Sequence, residues 1–307
     1  MSTKGNGYLR ISINRCLITK TEASEMDDPW KSMPNDRGFE SESRMVEVED
    51  GWRLRVIICK PLTKQNNPPV VMIPGWNSVF EGWREIIEAW ASSRMIIYIE
   101  TREKGSAEST RESNRSTMSI GQSVQDLKTL ASKLPEMSSK CDFFASSLGA
   151  TILLEALAIG ALNARSVSLL APNISFDFPL WSRPLIAMPS FLYPPLIRAA
   201  ILYLNLRLKD DGQKIRYRRT LLASNVKRLR LSALSNGSYK MSVDLTRINS
   251  RIALITAESD TLHAGSAVGF LAEKLPNATT IEVPSNQFAH DREIIPILEA
   301  FQDDQRS

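Results

Sequence analysis

From residue 68 onward, short apolar runs alternate with segments of helical spacing, and that alternation leaves few folds open. PPVVMIPG (68–75), RMIIYIE (94–100), CDFFAS (141–146), ARSVSLLAP (164–172), RIALITAES (251–259) and TTIEVPS (279–285) each read as a buried strand. Between them lie EGWREIIEAWAS (81–92), with Trp83, Ile86, Ile87 and Trp90 at helical spacing, then MSIGQSVQDLKTLASKL (118–134) and LGATILLEALAIGAL (148–162). Further helices are predicted over 265–275 and 291–302. Such an order predicts the α/β class: a mostly parallel central sheet with helices on both faces. A hairpin, RMVEVEDGWRLRVIICK, turning at Asp50-Gly51, precedes it.

The rhythm breaks over 173–240. Here Pro179, Pro184, Pro189, Pro194 and Pro195 precede an apolar helix, LIRAAILYLNLRL (196–208). This reads as an inserted helical cap, which leaves a core of 45–172 and 241–303. Residues 1–44 read as an N-terminal extension, partly flexible: YLRISINRCLITK (8–20) alternates like a strand, but 21–43 is polar, with prolines and a glycine.

A chain of 307 residues can bury a full core without disulfides. Its three cysteines, Cys16, Cys59 and Cys141, form no CxxC and have no histidine nearby. That argues against a zinc site and a disulfide framework and fits a reducing compartment. There is no apolar signal-peptide core and no run of the roughly 18 apolar residues that a membrane span needs. The expected location is therefore cytoplasmic.

The net charge of +4 is modest. Residues 207–230 concentrate it, with Arg207, Lys209, Lys214, Arg216, Arg218, Arg219, Lys227, Arg228 and Arg230 against Asp210 and Asp211. The stretch reads first as a solvated helix face. A basic face beside an apolar one also suits weak contact with an anionic membrane surface or an anionic substrate. Without an RNP, helix-turn-helix or zinc-finger signature, no nucleic-acid partner is expected.

One junction carries chemistry. In CDFFASSLGATILLE (141–155) a buried strand meets a helix at two serines. A residue in such a turn projects at the carboxyl end of the sheet, beside unpaired N–H groups and the positive end of the helix dipole. Ala145-Ser146-Ser147-Leu148-Gly149 fits small-x-Ser-x-Gly, with Ser147 at the apex and the Leu148 N–H as an oxyanion donor. Equally, the serine can be a plain helix cap. The context of strand, helix and later partners favours a nucleophile.

At these residues the chain resembles the α/β-hydrolase superfamily, most nearly its serine ester hydrolases of the monoacylglycerol lipase and lysophospholipase type, over about 45–302. Ala145 stands where that family usually has glycine. The serine apex is unlike the dehalogenase and epoxide hydrolase branches, which use aspartate. The resemblance implies a second oxyanion donor, the Trp76 N–H, in Ile73-Pro74-Gly75-Trp76-Asn77. ETREKGSAES (100–109) resembles the family's D-x-R-G-x-G-x-S loop, with Glu103 in place of a glycine.

For the acid, TAESDTLH resembles the family's G-E-x-D-x-x segment and implies Asp260, with Glu258 and Asp177 as alternatives. Only His263 and His290 exist as histidines. His263 shares the Asp260 loop, whereas His290 follows the last predicted strand, as a base should. In a second register of VPSNQFAHDRE, Gln287 takes the base's place, and the chain becomes a non-catalytic binding protein. The reading adopted is a triad of Ser147, Asp260 and His290 that cleaves a carboxylic ester, thioester or lactone of a largely apolar small-molecule substrate. Phe178, Trp181 and Phe191 of the cap would line the acyl pocket. No metal or organic cofactor is required.

Overall fold

A computed structural model of the chain describes residues 38–138, 140–176, 184, 186, 188–189, 192–207, 218, 220–257, 265–285 and 287–304. β1 (Phe39–Glu49) and β2 (Trp52–Pro61) form the hairpin, with Gly51 at φ +76° in the turn. β1 begins earlier than the hairpin read from sequence, because Phe39–Ser43 pair with Ile57–Pro61. Glu40, Ser41, Glu42 and Ser43 are exposed on the sheet edge. No apolar alternation therefore marks them as strand.

β3 (Val70–Ile73), β4 (Ile96–Ile99), β6 (Asp142–Ser146), β7 (Ser166–Leu170), β8 (Arg251–Ala257) and β9 (Ala278–Val283) pair in parallel. β2 joins β4 antiparallel, and a short β5 (Glu108–Ser109) pairs with the start of β2. The strand order is β1-β2-β4-β3-β6-β7-β8-β9. The chain thus steps from β3 outward to β4, then returns to β6 on the other side of β3. Open α/β sheets form their ligand crevice at the carboxyl ends of the strands where the order reverses in this way.

Helices cover both faces because the strand side chains alternate. Val71, Ile73, Ile97, Ile99, Phe143 and Ala145 enter one apolar cluster. With them pack Val124, Leu127 and Leu130 of α2 (Ile120–Lys133), Ile152 and Leu153 of α3 (Leu148–Ala158), and Leu271 of α6 (Gly265–Lys274). Alternate side chains point the other way. Tyr98 meets Phe80 edge-on at 5.7 Å between ring centroids, and Phe144 meets Trp83 at 5.5 Å. That face also carries α1 (Arg84–Trp90), whose Trp90 indole donates to Glu299 of α7 (Ile295–Asp303).

Between β7 and β8 lie α4 (Tyr193–Arg207) and α5 (Val226–Asn236). α4 buries none of its residues and exposes Leu196, Leu202, Tyr203 and Leu206. α5 belongs to the core by its contacts, although the sequence reading puts it inside the insertion. Its Asn236 side chain accepts from the Ile120 N–H and donates to the Met118 carbonyl, both at 3.1 Å, and so satisfies the first N–H of α2 beside the Ser119 cap.

The basic stretch is not one solvated face. Arg228 is buried over the Trp52 ring and donates to the Ala107 and Lys104 carbonyls, while Arg230 donates to the Ile186 carbonyl. The sequence reading misses this because a charged residue on a helix defaults to solvent. Among the described residues, no helix is long and apolar enough to cross a membrane.

Candidate active site at the carboxyl ends of three strands

Among the described residues, the non-glycine residues in left-handed backbone are Asn77 (φ +54°), Ser147 (φ +47°) and Ala171 (φ +46°). They follow β3, β6 and β7, which are neighbours in the sheet. Such conformations cost of order 1–3 kcal/mol each and persist where the surroundings impose them. The strain therefore gathers at one place, the crevice that the strand reversal predicts.

Ser147 ends β6 and opens α3. Its N–H donates to the Leu170 carbonyl at the end of β7 (2.9 Å), and its carbonyl accepts from the Thr151 N–H (3.1 Å). The turn is thus fastened on both sides. Ser146 belongs to the strand and is buried, whereas Ser147 is half-buried and open to a ligand. Leu148 takes the first helical position, where an N–H has no intrahelical acceptor.

The Pro74–Asn77 turn closes against this serine. A Cβ on Gly75 would sit 3.2 Å from Ser147 Cβ and 3.2 Å from Ser146 Oγ. Gly149 shows why the motif ends in glycine: a Cβ there would fall 2.4 Å from the Ile73 carbonyl oxygen and 2.6 Å from that of Pro74. Helix α3 can lie on the end of β3 only without a side chain at that point. Gly149→Ala is expected to cost about 3 kcal/mol, the upper end of overpacking penalties. The check is a fall in the urea midpoint at unchanged m-value.

The turn is held from below by charge. Lys104 is buried, and its ammonium donates to the Gly75 carbonyl at 2.5 Å and to Glu103 at 2.7 Å. Glu103 also accepts from the Thr101 hydroxyl at 2.8 Å. The same Gly75 carbonyl accepts from the Ser78 N–H at 3.1 Å, so two donors fix the turn that carries Trp76. In the sequence, Glu103 stands in place of a glycine in the loop 100–109. Here that replacement supplies the partner of a buried cation. Asn77 accepts from the Ser224 hydroxyl at 2.8 Å, tying the turn to the segment before α5.

His290 lies in the short helical turn Phe288–His290 that follows β9. Its ring packs on Trp83 at 4.6 Å between centroids, and Trp83 in turn packs on Phe144 of β6. His290 is half-buried, whereas Gln287 is exposed.

No protein-family model matches the sequence, and no curated protein matches it. Solved structures do match. The 2-hydroxy-6-oxo-6-phenylhexa-2,4-dienoate hydrolase of Rhodococcus sp. strain RHA1 superposes with a TM-score of 0.68 at 14% identity, over 86% of this chain and 99% of that one. An esterase from Exiguobacterium antarcticum gives 0.67 at 12% identity, over 85% and 99%. A hydrolase from Pseudomonas aeruginosa PA01 gives 0.61 at 16% identity, over 85% and 96%. The chain has the α/β-hydrolase fold. At these identities the likeness establishes the fold and no branch within it.

On the α/β-hydrolase frame, Ser147, Leu148 and the turn that carries Trp76 come together at the crevice. Trp76 itself is 41% exposed at its mouth. Asp260, its alternatives Glu258 and Asp177, His263, and the pocket candidates Phe178, Trp181 and Phe191 lie outside the described residues. Phe176, a neighbour of that pocket set, packs against the core and on Tyr239.

Two residues of this candidate site are missed by sequence reasoning, Lys104 and Asn173. The Asn173 side chain donates to Ser147 Oγ at 3.0 Å. Its one sequence signal is that it is the first polar side chain after a buried strand, in LLAPN.

Proposed function

We propose that this protein is a serine hydrolase that cleaves a carboxylic ester, thioester or lactone through an acyl-enzyme on Ser147. The observation that carries the reading is the strained Ser147 between β6 and α3, with the Gly75 turn in contact with it. Strain of this kind is kept where a side chain must be presented to a ligand.

In the proposed reaction Ser147 Oγ attacks the acyl carbonyl and His290 accepts the proton. The Leu148 and Trp76 N–H groups bind the oxyanion, each such donor being worth about 3–4 kcal/mol. Asp260, placed after β8 in the chain, orients the imidazole and stabilises its cation. Water then attacks the acyl-enzyme and releases the acid. Support for His290 as base comes from its packing against Trp83, next to β6, while Gln287 is the more exposed of the two residues. Phe178, Trp181 and Phe191 are assigned to selecting the acyl chain, and the matching esterase fold is consistent with that chemistry.

The test is a panel of p-nitrophenyl esters of increasing acyl length. The wild type is expected to hydrolyse them with a preference for medium chains. His290→Ala should lose about 10⁴-fold or more in kcat. Gln287→Ala should stay within about threefold of wild type, as for a surface change. An inert wild type, or Gln287→Ala as damaging as His290→Ala, overturns the assignment. A flat profile across chain lengths removes the acyl pocket.

A further inference from the structure

We propose that Asn173 is a catalytic residue whose side-chain amide donates a hydrogen bond to the nucleophile oxygen itself; this rests on Ser147 being the nucleophile. The amide nitrogen lies 3.0 Å from Ser147 Oγ across 26 residues of chain.

The contact is built, not incidental to a loose loop. Thr151, fully buried one turn into α3, donates its hydroxyl to the Asn173 main-chain carbonyl at 2.8 Å. Leu170, three residues before Asn173, accepts the Ser147 N–H. Between them, Ala171 adopts the left-handed backbone that turns the chain out of β7, and its N–H is held by the Ile255 carbonyl at 3.0 Å. Residues 170–173 and 147–151 are thus joined at three points, and two of these are independent of the asparagine side chain.

The chemistry follows from counting protons. A serine hydroxyl has one proton and two lone pairs. If that proton is directed to the base, the oxygen can only accept from any other neighbour. An amide N–H is a donor that cannot take the proton away. In acylation the Oγ–carbon bond forms, the carbonyl electron pair moves onto its oxygen, and the hydroxyl proton passes to His290. Collapse expels the leaving group, which takes that proton. In deacylation water attacks the acyl carbon as His290 takes its proton, the carbon–Oγ bond breaks, and its electron pair returns to Oγ, which regains that proton from the imidazolium. At both moments negative charge builds on Oγ, and a hydrogen bond to a charged acceptor is stronger than one to a neutral acceptor. Asn173 therefore serves the attacking and departing oxygen, whereas Leu148 and Trp76 serve the carbonyl oxygen.

The experiment measures the second-order rate of fluorophosphonate labelling at Ser147, located by peptide mass, across pH. Asn173→Ala is expected to label about 10–100-fold more slowly than wild type. In ester hydrolysis it should lose kcat with KM changed little. Asn173→Asp keeps the side-chain size and the main-chain bond from Thr151 but offers a charged acceptor. It should be at least as slow near neutral pH. Its rate relative to wild type should rise as pH falls and the carboxyl regains a proton to donate. A merely structural residue would show no such pH-dependent recovery. Both variants should unfold at near wild-type temperatures.

If wild type is labelled and both variants match its rate, or if the Asn173→Asp ratio is flat with pH, this inference is overturned alone. If wild type is not labelled at Ser147, the nucleophile reading fails and takes this inference with it.

Discussion

Ser147→Ala is expected to remove ester hydrolysis and fluorophosphonate labelling, with kcat falling by about 10⁵–10⁶-fold. The loss of the nucleophile leaves only what oxyanion donors and binding supply, about 10³–10⁴ over water. Stability should move by less than about 1 kcal/mol, because the bonds that fasten the turn are main-chain ones, from Ser147 N–H to Leu170 and from Thr151 N–H to Ser147. Alanine inherits the same left-handed backbone, so the strain is unchanged to first order. Ser146→Ala is the matched control. Its side chain is buried behind Gly75 and should cost no more than about threefold in kcat. Equal losses from the two substitutions would mean that the apex has been assigned to the wrong serine.

Lys104→Met carries the second large effect. The substitution leaves Glu103 as a buried carboxylate whose remaining hydrogen bond is to Thr101, and it takes a donor from the Gly75 carbonyl. Removing one partner of a buried pair costs about 3–5 kcal/mol. The pairing of Lys104 with Glu103 is therefore best tested in a cycle. Glu103→Gln added to Lys104→Met should recover part of that stability, because no charge is then left stranded. The single variant should also lose kcat through the loosened turn, and the double variant should not regain it. Unfolding midpoints and ester turnover on the same preparations separate the two effects. Full recovery of kcat in the double variant would sink the role of Lys104 in holding the turn.

The parts of the fold that follow from periodicity were readable in the sequence. Strands β3, β4, β6, β7, β8 and β9 and helices α1, α2, α3, α6 and α7 fall where apolar spacing puts them, since each buries a face or a stripe, whereas β5 and α5 carry no such mark. Ser147 was readable for a different reason: a strand, a small residue and Gly149 must meet in a turn with no room for side chains. The first half of β1 was not readable, because an exposed edge strand needs no apolar residues.

Asn173, Lys104 and Arg228 were hidden by one common cause. Each takes its role from a partner distant in sequence, Ser147, Gly75 and Ala107 respectively, and polar residues carry no periodic mark of burial. The strand order, which sets β6 between β3 and β7, brings Gly75, Ser147 and Asn173 together, and no local pattern encodes it.

The anchoring of α5 bears on how a protein of this kind can be recombined. A chimera that replaced everything between β7 and β8 would discard Arg228 and Asn236. The Lys104 and Ala107 carbonyls would lose the Arg228 guanidinium, and the Ile120 N–H at the start of α2 would lose its acceptor. The main chain is also crowded there, since a Cβ on Gly105 would lie 2.2 Å from the Ala223 carbonyl oxygen. A crossover just ahead of Thr220 leaves that joint intact. Donor segments that start after Phe176 leave Asn173 and its neighbours in place, while everything from Thr220 onward is inherited together with the sheet.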